Sequence, residues 1–397
     1  MKIAIVTGDD LVGDAPERLG AALAARGHQA TVYIRRQDRR RGRRTAGQNN
    51  DGDHRVVSAR VGPPSAASAS EVLPYVGDWA ARLERAWSSD RPDVVHAYGW
   101  LGGLAAQLTA RWQLIPTVQT FLGLAATSPS GSGGGRESER ERIEPLLARG
   151  AAWVTGECTA DVDVLARLRH GRARVSHLAS GVDGERYSPI GPVAARNGLH
   201  RILCLAPNPL WSNGFDIAIR ALPGIAGAEL VIAETAAGGL SHDEARARLE
   251  RLAAELGVAD RVRFAGKVGD DKLPMLVRSV DVVVCTPRQP PRATSVLQAM
   301  ASGVAVVTSP VGVLNDAVVD AVTGLVLSQQ SPAAVAAALR SLLAQSFQYE
   351  SMGAAGRSRA VSRYTWDRIA LDALNIYRQL GSATPGAGED TVDEDAA

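Results

Sequence analysis

Apolar residues along this chain fall into two alternating rhythms. Ile3 to Thr7 is a short apolar run that stops at Gly8, as a strand buried on both faces does. From Ala15 to Arg26 the apolar positions Leu19, Ala22 and Leu23 fall at helical spacing, and Gly27 ends the stretch. Ala30 to Ile34 is a second strand and completes one βαβ unit. Val94–Val95, a helix from about Leu101, and a strand at Thr117–Thr120 continue the alternation. It pauses at the turn-rich stretch Ser180–Pro192 and restarts at Arg201–Leu205. Further strands are expected near Glu229–Ala233, Val262–Phe264, Asp281–Cys285, Ala305–Thr308 and Gly324–Leu327, with helices between them. This pattern predicts an α/β protein of doubly wound parallel sheets with helices on both faces.

A length of 397 residues suits two such domains better than one. The junction is expected at Ser180–Pro192, giving Rossmann-like domains over 1–182 and 183–365 with a ligand cleft between them. Two segments break the pattern: the basic, polar stretch Arg35–His54 and the Gly/Ser-rich loop Ser128–Gly135. The tail 383–397, rich in Gly, Ala and acid, is expected to be disordered.

Charge narrows the classes. Lys and Arg number 44 against 42 Asp and Glu, a net +2, so no global field recruits nucleic acid or an anionic membrane. The Arg35–Arg44 cluster could touch either, but without interleaved aromatics it reads as a solvated insertion. Cys158, Cys204 and Cys285 are widely separated, so neither a zinc site nor a disulfide framework is expected. No apolar stretch reaches membrane-spanning length and no leader pattern opens the chain, so a cytoplasmic location is expected. No GxGxxG follows the first strand and no GxxxxGK[ST] occurs, which weakens oxidoreductase and NTPase readings.

Several phrases, in order, carry a resemblance: RGHQATVY (26–33), DVVHAYGWLGGLAA (93–106), PTVQTFLGL (116–124), SGVDGERYSP (180–189), NGFDIAIRALPGIAGAELVIA (213–233), RVRFAGKV (261–268), LQAMASGVAVVTSPVG (297–312), VTGLVL (322–327) and GAAGRSRAVSRYTWDRIA (353–370). Together they resemble the retaining glycosyltransferases of family 4, of actinobacterial type, and cover almost the whole chain. The resemblance implies the GT-B fold: two facing Rossmann-like domains, with the last helix (366–382) packed back on the first. It implies an acceptor-side first domain, a nucleotide-sugar-side second domain, and no metal or other cofactor.

It also implies a catalytic set, and here the chain departs from the family. An Arg and a Lys at the start of the second domain neutralise the departing diphosphate; Asn208 and Asn213 stand in their places. Two Glu residues eight apart hold the sugar and the ribose; Pro290 and Gln298 stand there. Leu122 replaces the His beside the donor sugar, and the early Gly-Gly reads Gly13-Asp14. Glu234 and Thr235 stand where a Gly-Gly often follows the LVIAG strand. Gly13, Gly214, Thr294, Ser295 and Gln298 remain as donor-binding positions, although Thr294 and Ser295 could equally be ordinary helix N-caps. Arg288 and Arg292 are the candidate compensating cations. His96 is read as a structural histidine, and His28 is given no role.

Three readings stay open at this level. The first is a pseudo-glycosyltransferase that binds a partner, such as an active paralogue, or a ligand. The second is an active hexosyltransferase with a rebuilt donor site for a nucleotide sugar. The third is a basic-loop tether to membrane or nucleic acid.

Overall fold

The computed structural model describes residues 1–8, 13–35, 54–63, 69–127, 139–236 and 240–382. The cluster beyond Arg35, the Ser128–Gly135 loop and the tail 383–397 lie outside them. In chain order the first elements are β1 (Lys2–Thr7), α1 (Ala15–Ala24), β2 (Gln29–Ile34), β3 (Arg55–Ser58), α2 (Val76–Ser89), β4 (Val94–Tyr98), α3 (Gly99–Trp112), β5 (Thr117–Phe121), α4 (Glu139–Gly150), β6 (Trp153–Gly156), α5 (Thr159–Leu168) and β7 (Val175–His177). Then follow β8 (His200–Ala206), α6 (Phe215–Ala221), β9 (Ala228–Glu234), α7 (Leu240–Glu255), β10 (Val262–Lys267), α8 (Leu273–Arg278), β11 (Val282–Cys285), α9 (Thr294–Ala301), β12 (Ala305–Thr308), α10 (Leu314–Ala317), β13 (Leu325–Val326), α11 (Pro332–Leu343), α12 (Ser346–Arg363) and α13 (Trp366–Ser382).

The strands form two sheets. One is seven-stranded in the order β3-β2-β1-β4-β5-β6-β7, the other six-stranded in the order β10-β9-β8-β11-β12-β13. The pairings of β1 with β2 and β4, and of β8 with β9 and β11, are all parallel. In both sheets the order reverses beside the first strand of its half, the topological switch point at which doubly wound sheets bind ligands. The central strands are the apolar runs of the sequence: Ile3, Ile5 and Val6 in β1, and Leu203, Cys204 and Leu205 in β8, are all buried. Burial on both faces is why they lack alternation. Cys204 and Cys285 behave as small apolar core residues, and burial pushes the Cys285 thiol up to about 12.

The described chain divides into two compact units. The first comprises Met1–Thr120, Leu146–Val154 and the stretch from Ala370, and the second comprises Phe121–Pro145 and Thr155–Ile369. This division does not follow the expected cut at residue 182, because the segments after β5 and β6 pack with the later part of the chain. In the first unit, α13 completes the core. Tyr377 is 1% exposed, and its hydroxyl lies 2.6 Å from His96 Nδ1 on β4. The other ring nitrogen of His96 lies 2.6 Å from Thr120 Oγ1. His96 is wholly buried, and desolvation drives its pKa down to about 3, so the imidazole stays neutral. It is a satisfied core histidine, the structural reading given to it from the sequence.

Candidate functional site

Apart from Gly13, the expected donor-site positions all fall in the second unit, and the turn after β8 comes first. Asn208 and Asn213 are both half-buried and hydrogen-bond one another: Asn213 Nδ2 donates to Asn208 Oδ1 at 2.8 Å and to its carbonyl at 3.0 Å. Asn208 Oδ1 also accepts from Leu210 N–H at 3.1 Å. The two amides thus close the turn through Asn208 Oδ1, an acceptor that an Arg at this position would not supply. Gly214 then takes the left-handed conformation, φ 70 and ψ 22, at the entrance to α6. A Cβ there would meet the Thr286 carbonyl oxygen at 1.9 Å, so only glycine fits.

Arg288, the first candidate cation, is already neutralised. Its guanidinium makes a two-pronged contact with Asp216, 2.7 Å on each side, and stacks 4.6 Å from the Trp211 ring centre. It also donates to the Trp211 carbonyl at 2.9 Å. Arg292, the second, donates to Ser180 Oγ at 2.7 Å and lies 3.3 Å from Glu157 Oε2. Glu157 is 2% exposed, a buried carboxylate that the sequence did not single out.

Pro290 lies against Gly312, where a Cβ would come within 2.8 Å of the proline Cβ. Thr294 and Ser295 open α9, but neither caps it: Ala293 holds the cap position and no side chain bonds there. The N-cap expectation fails because the loop turns into the helix one residue earlier, leaving Thr294 exposed. Gln298 donates to the Tyr187 hydroxyl at 3.0 Å, and its Oε1 is buried with no partner. Glu157 Oε1, Ser309 Oγ and Thr308 Oγ1 are also buried without hydrogen bonds.

Leu122, at the histidine's place, is half-buried just past β5, followed by Gly123 at φ 78. Beneath this turn lies Glu144 on α4, 3% exposed, which accepts from Ala125 N–H at 2.8 Å and from Arg140 Nε at 2.5 Å. Arg140 also donates to the Gly123 carbonyl. Asp161 accepts from Thr127 Oγ1 at 2.9 Å. Burial raises the pKa of both carboxyls. These carboxylates tie α4 and α5 to the loop after β5, and were missed because Ala125 N–H and Thr127, which they hold, lie 19 and 34 residues away in the chain.

Two further replacements are tied down. Asp14, beside Gly13 (φ 113), pairs with Arg18 at 2.9 Å one helical turn on. Glu234, 1% exposed at the end of β9, receives Arg246 at 2.8 and 2.9 Å. Among the described residues no cluster of His, Cys, Asp or Glu could hold a metal ion, and no helix is long and apolar enough to cross a membrane.

Comparison with known proteins decides the family. Residues 201–359 match the model of glycosyl transferases group 1, and residues 12–181 that of the glycosyl transferase 4-like domain. D-inositol 3-phosphate glycosyltransferase of Corynebacterium urealyticum is 30% identical over 308 residues, 72% of each chain. The chain belongs to the family 4 type of GT-B glycosyltransferases. The Salinispora tropica relative of the same name is 29% identical over 75% of this chain, which spans 66% of that relative's length. Sucrose-phosphate synthase from Thermosynechococcus elongatus shares the GT-B fold, with a TM-score of 0.82 and 20% identity over 97% of this chain and 100% of its own.

Proposed function

We propose that this family 4 protein is a donor-impaired glycosyltransferase scaffold, a pseudo-glycosyltransferase that acts by binding. One observation carries the reading: every side chain at the expected diphosphate end is neutral or lies against a carboxylate. Asn208 and Asn213 bond each other, Arg288 is held by Asp216, and Arg292 lies against Ser180 and Glu157. A departing diphosphate needs unpaired positive charge, and losing one such stabiliser costs about 10²–10³ in rate. Calorimetric titration with UDP-, GDP- and ADP-sugars tests it. Affinities weaker than about 1 mM are expected, and a micromolar value for any of them sinks the reading. The partner class we propose is an active paralogue of the same family, to be sought by co-purification.

A second reading has its own support. Glu157 Oε1, Gln298 Oε1, Ser309 Oγ and Thr308 Oγ1 are buried polar atoms without partners, and such groups ordinarily find one. A ligand rich in hydroxyls would satisfy them, as the sugar of an active enzyme with a rebuilt donor site would. Turnover of a nucleotide sugar that is lost in Glu157→Gln would favour this second reading.

A further inference from the structure

Four arginines form a stripe along one edge of the first unit. Arg55 opens the edge strand β3, and Arg60 stands just past its end, about 16 Å further on. Arg82 and Arg85, three residues apart on α2, share a helix face with Asp78. Arg60, Arg82 and Arg85 line one concavity of about 530 Å³ together with Asp78 and Tyr75. Its back wall is tied down by the buried Arg35, which donates to the Val61 carbonyl at 2.6 Å and to that of Pro63 at 3.0 Å. Among the described residues the four arginines enter no ion pair, and Arg85 donates only its Nε, to the Ala81 carbonyl at 3.2 Å. One carboxylate, Asp78, shares the concavity with three guanidinium groups, so an acidic occupant would relieve their mutual repulsion.

The chain itself carries the counterpart. Glu389, Asp390, Asp393, Glu394 and Asp395 place five carboxylates within seven residues, and no Lys or Arg follows Arg378. Fully extended, those seven residues cover about 20 Å, enough to lie along the stripe. The last helix delivers them to this edge. Burial, the amino terminus and the Arg378 charge lower the His28 pKa, in that order, so the end of α13 lies beside the residue that precedes β2. β2 pairs Thr31 with Arg55, which puts Arg55 about 11 Å from His28. Ser382 is about 6 Å along the helix from Arg378, and Glu389 can stand up to about 25 Å beyond it. The acidic residues therefore reach Arg55 and, further along, Arg82, Arg85 and Arg60. A tether of this length holds them at an effective concentration on the order of millimolar, so even a weak contact is well occupied.

We propose that the acidic segment 389–395 docks on this arginine stripe of its own first unit, so that the chain masks the surface itself. Carboxylates and guanidinium groups pair through charge-assisted hydrogen bonds. The contact is independent of the donor end in the second unit. Crosslinking of the full chain tests it. Arg82→Lys with Arg85→Lys keeps both charges and adds two amines to a chain whose own lysines are Lys2, Lys267 and Lys272. A carbodiimide joins an amine to a touching carboxylate, and peptide mass spectrometry of the monomer locates the bond. Links from positions 82 and 85 to segment 389–395 are expected to exceed those from Lys2 at least about tenfold. Lys2 pairs with Gln29 at the start of β2, so a loose tail would meet it first. The links should fade at 1 M salt, where charges are screened beyond about 3 Å. A link to Asp78, four residues from position 82, reports that the amines react. Segment links no more abundant than those of Lys2, links found only in covalent dimers, links unchanged by salt, or no link to the segment overturns the proposal whatever the nucleotide-sugar titrations give.

Discussion

Asn213 donates its side-chain amide to Asn208 across 2.8 Å, so the two positions expected to carry the family's cations satisfy each other. If charge alone is missing, restoring it should restore diphosphate binding. The variant Asn208→Arg with Asn213→Lys gains two charge-assisted contacts of about 1.5–3 kcal/mol each, or at least about a hundredfold in UDP affinity. Pro290→Glu and Gln298→Glu added to it should act on the sugar and ribose, and Leu122→His on transfer alone. Calorimetry of both variants at identical salt measures this. An unchanged UDP affinity would mean that the turn itself has been remodelled.

Gly214 makes a sharper structural prediction. Gly214→Ala adds a methyl where the Thr286 carbonyl lies 1.9 Å away, and places a Cβ in the left-handed region. Strain and clash together should destabilise the second unit by about 3 kcal/mol or more. Denaturant unfolding reads the loss directly; a shift under 1 kcal/mol would show that the turn can relax, on the scale of ordinary surface substitutions.

Glu234 is buried and its partner Arg246 only half-buried, and the pair should show the asymmetry of an ion pair with one buried member. Arg246→Ala leaves the Glu234 carboxylate, 1% exposed, without its cation and should cost about 3–5 kcal/mol. The double variant with Glu234→Gln should recover part of that. Equal stability of the single and double variants would contradict an uncompensated charge as the cause.

His96 predicts a pH dependence. Its folded pKa of about 3 lies below the ordinary value of 6.5, so the unfolded chain takes up its proton first. The stabilisation is therefore complete above pH 6.5 and falls at about 1.4 kcal/mol per pH unit on acidification towards pH 3. His96→Gln, with no titrating ring, should flatten that part of the curve, as thermal melts between pH 4 and 7 would show. Parallel curves for the two proteins would remove His96 as the titrating group.

The central strands were legible because burial on both faces writes an unbroken apolar run, as in Ile3 to Val6. The edges were not. β3 exposes both its ends, Arg55 and Ser58, and β7 has no fully buried residue, so neither stands out from a loop. At the donor end the positions were legible from ordered phrases, and so was the loss of charge. The partners were not. Asp216 reaches Arg288 from 72 residues away, and Ser180 reaches Arg292 from 112. Only folding brings those groups together, so the sequence could name Arg288 and Arg292 as available cations without seeing that they are occupied.

The contact between His96 and Tyr377 spans 281 positions. On the ribosome, β4 is made long before its partner helix exists, so the nascent first half waits with an uncovered seam while all of the second half is synthesised. Such a chain should depend on holding chaperones more than two autonomous domains in tandem would. A stop codon or cleavage just before Trp366 should damage not the end of the protein but its beginning.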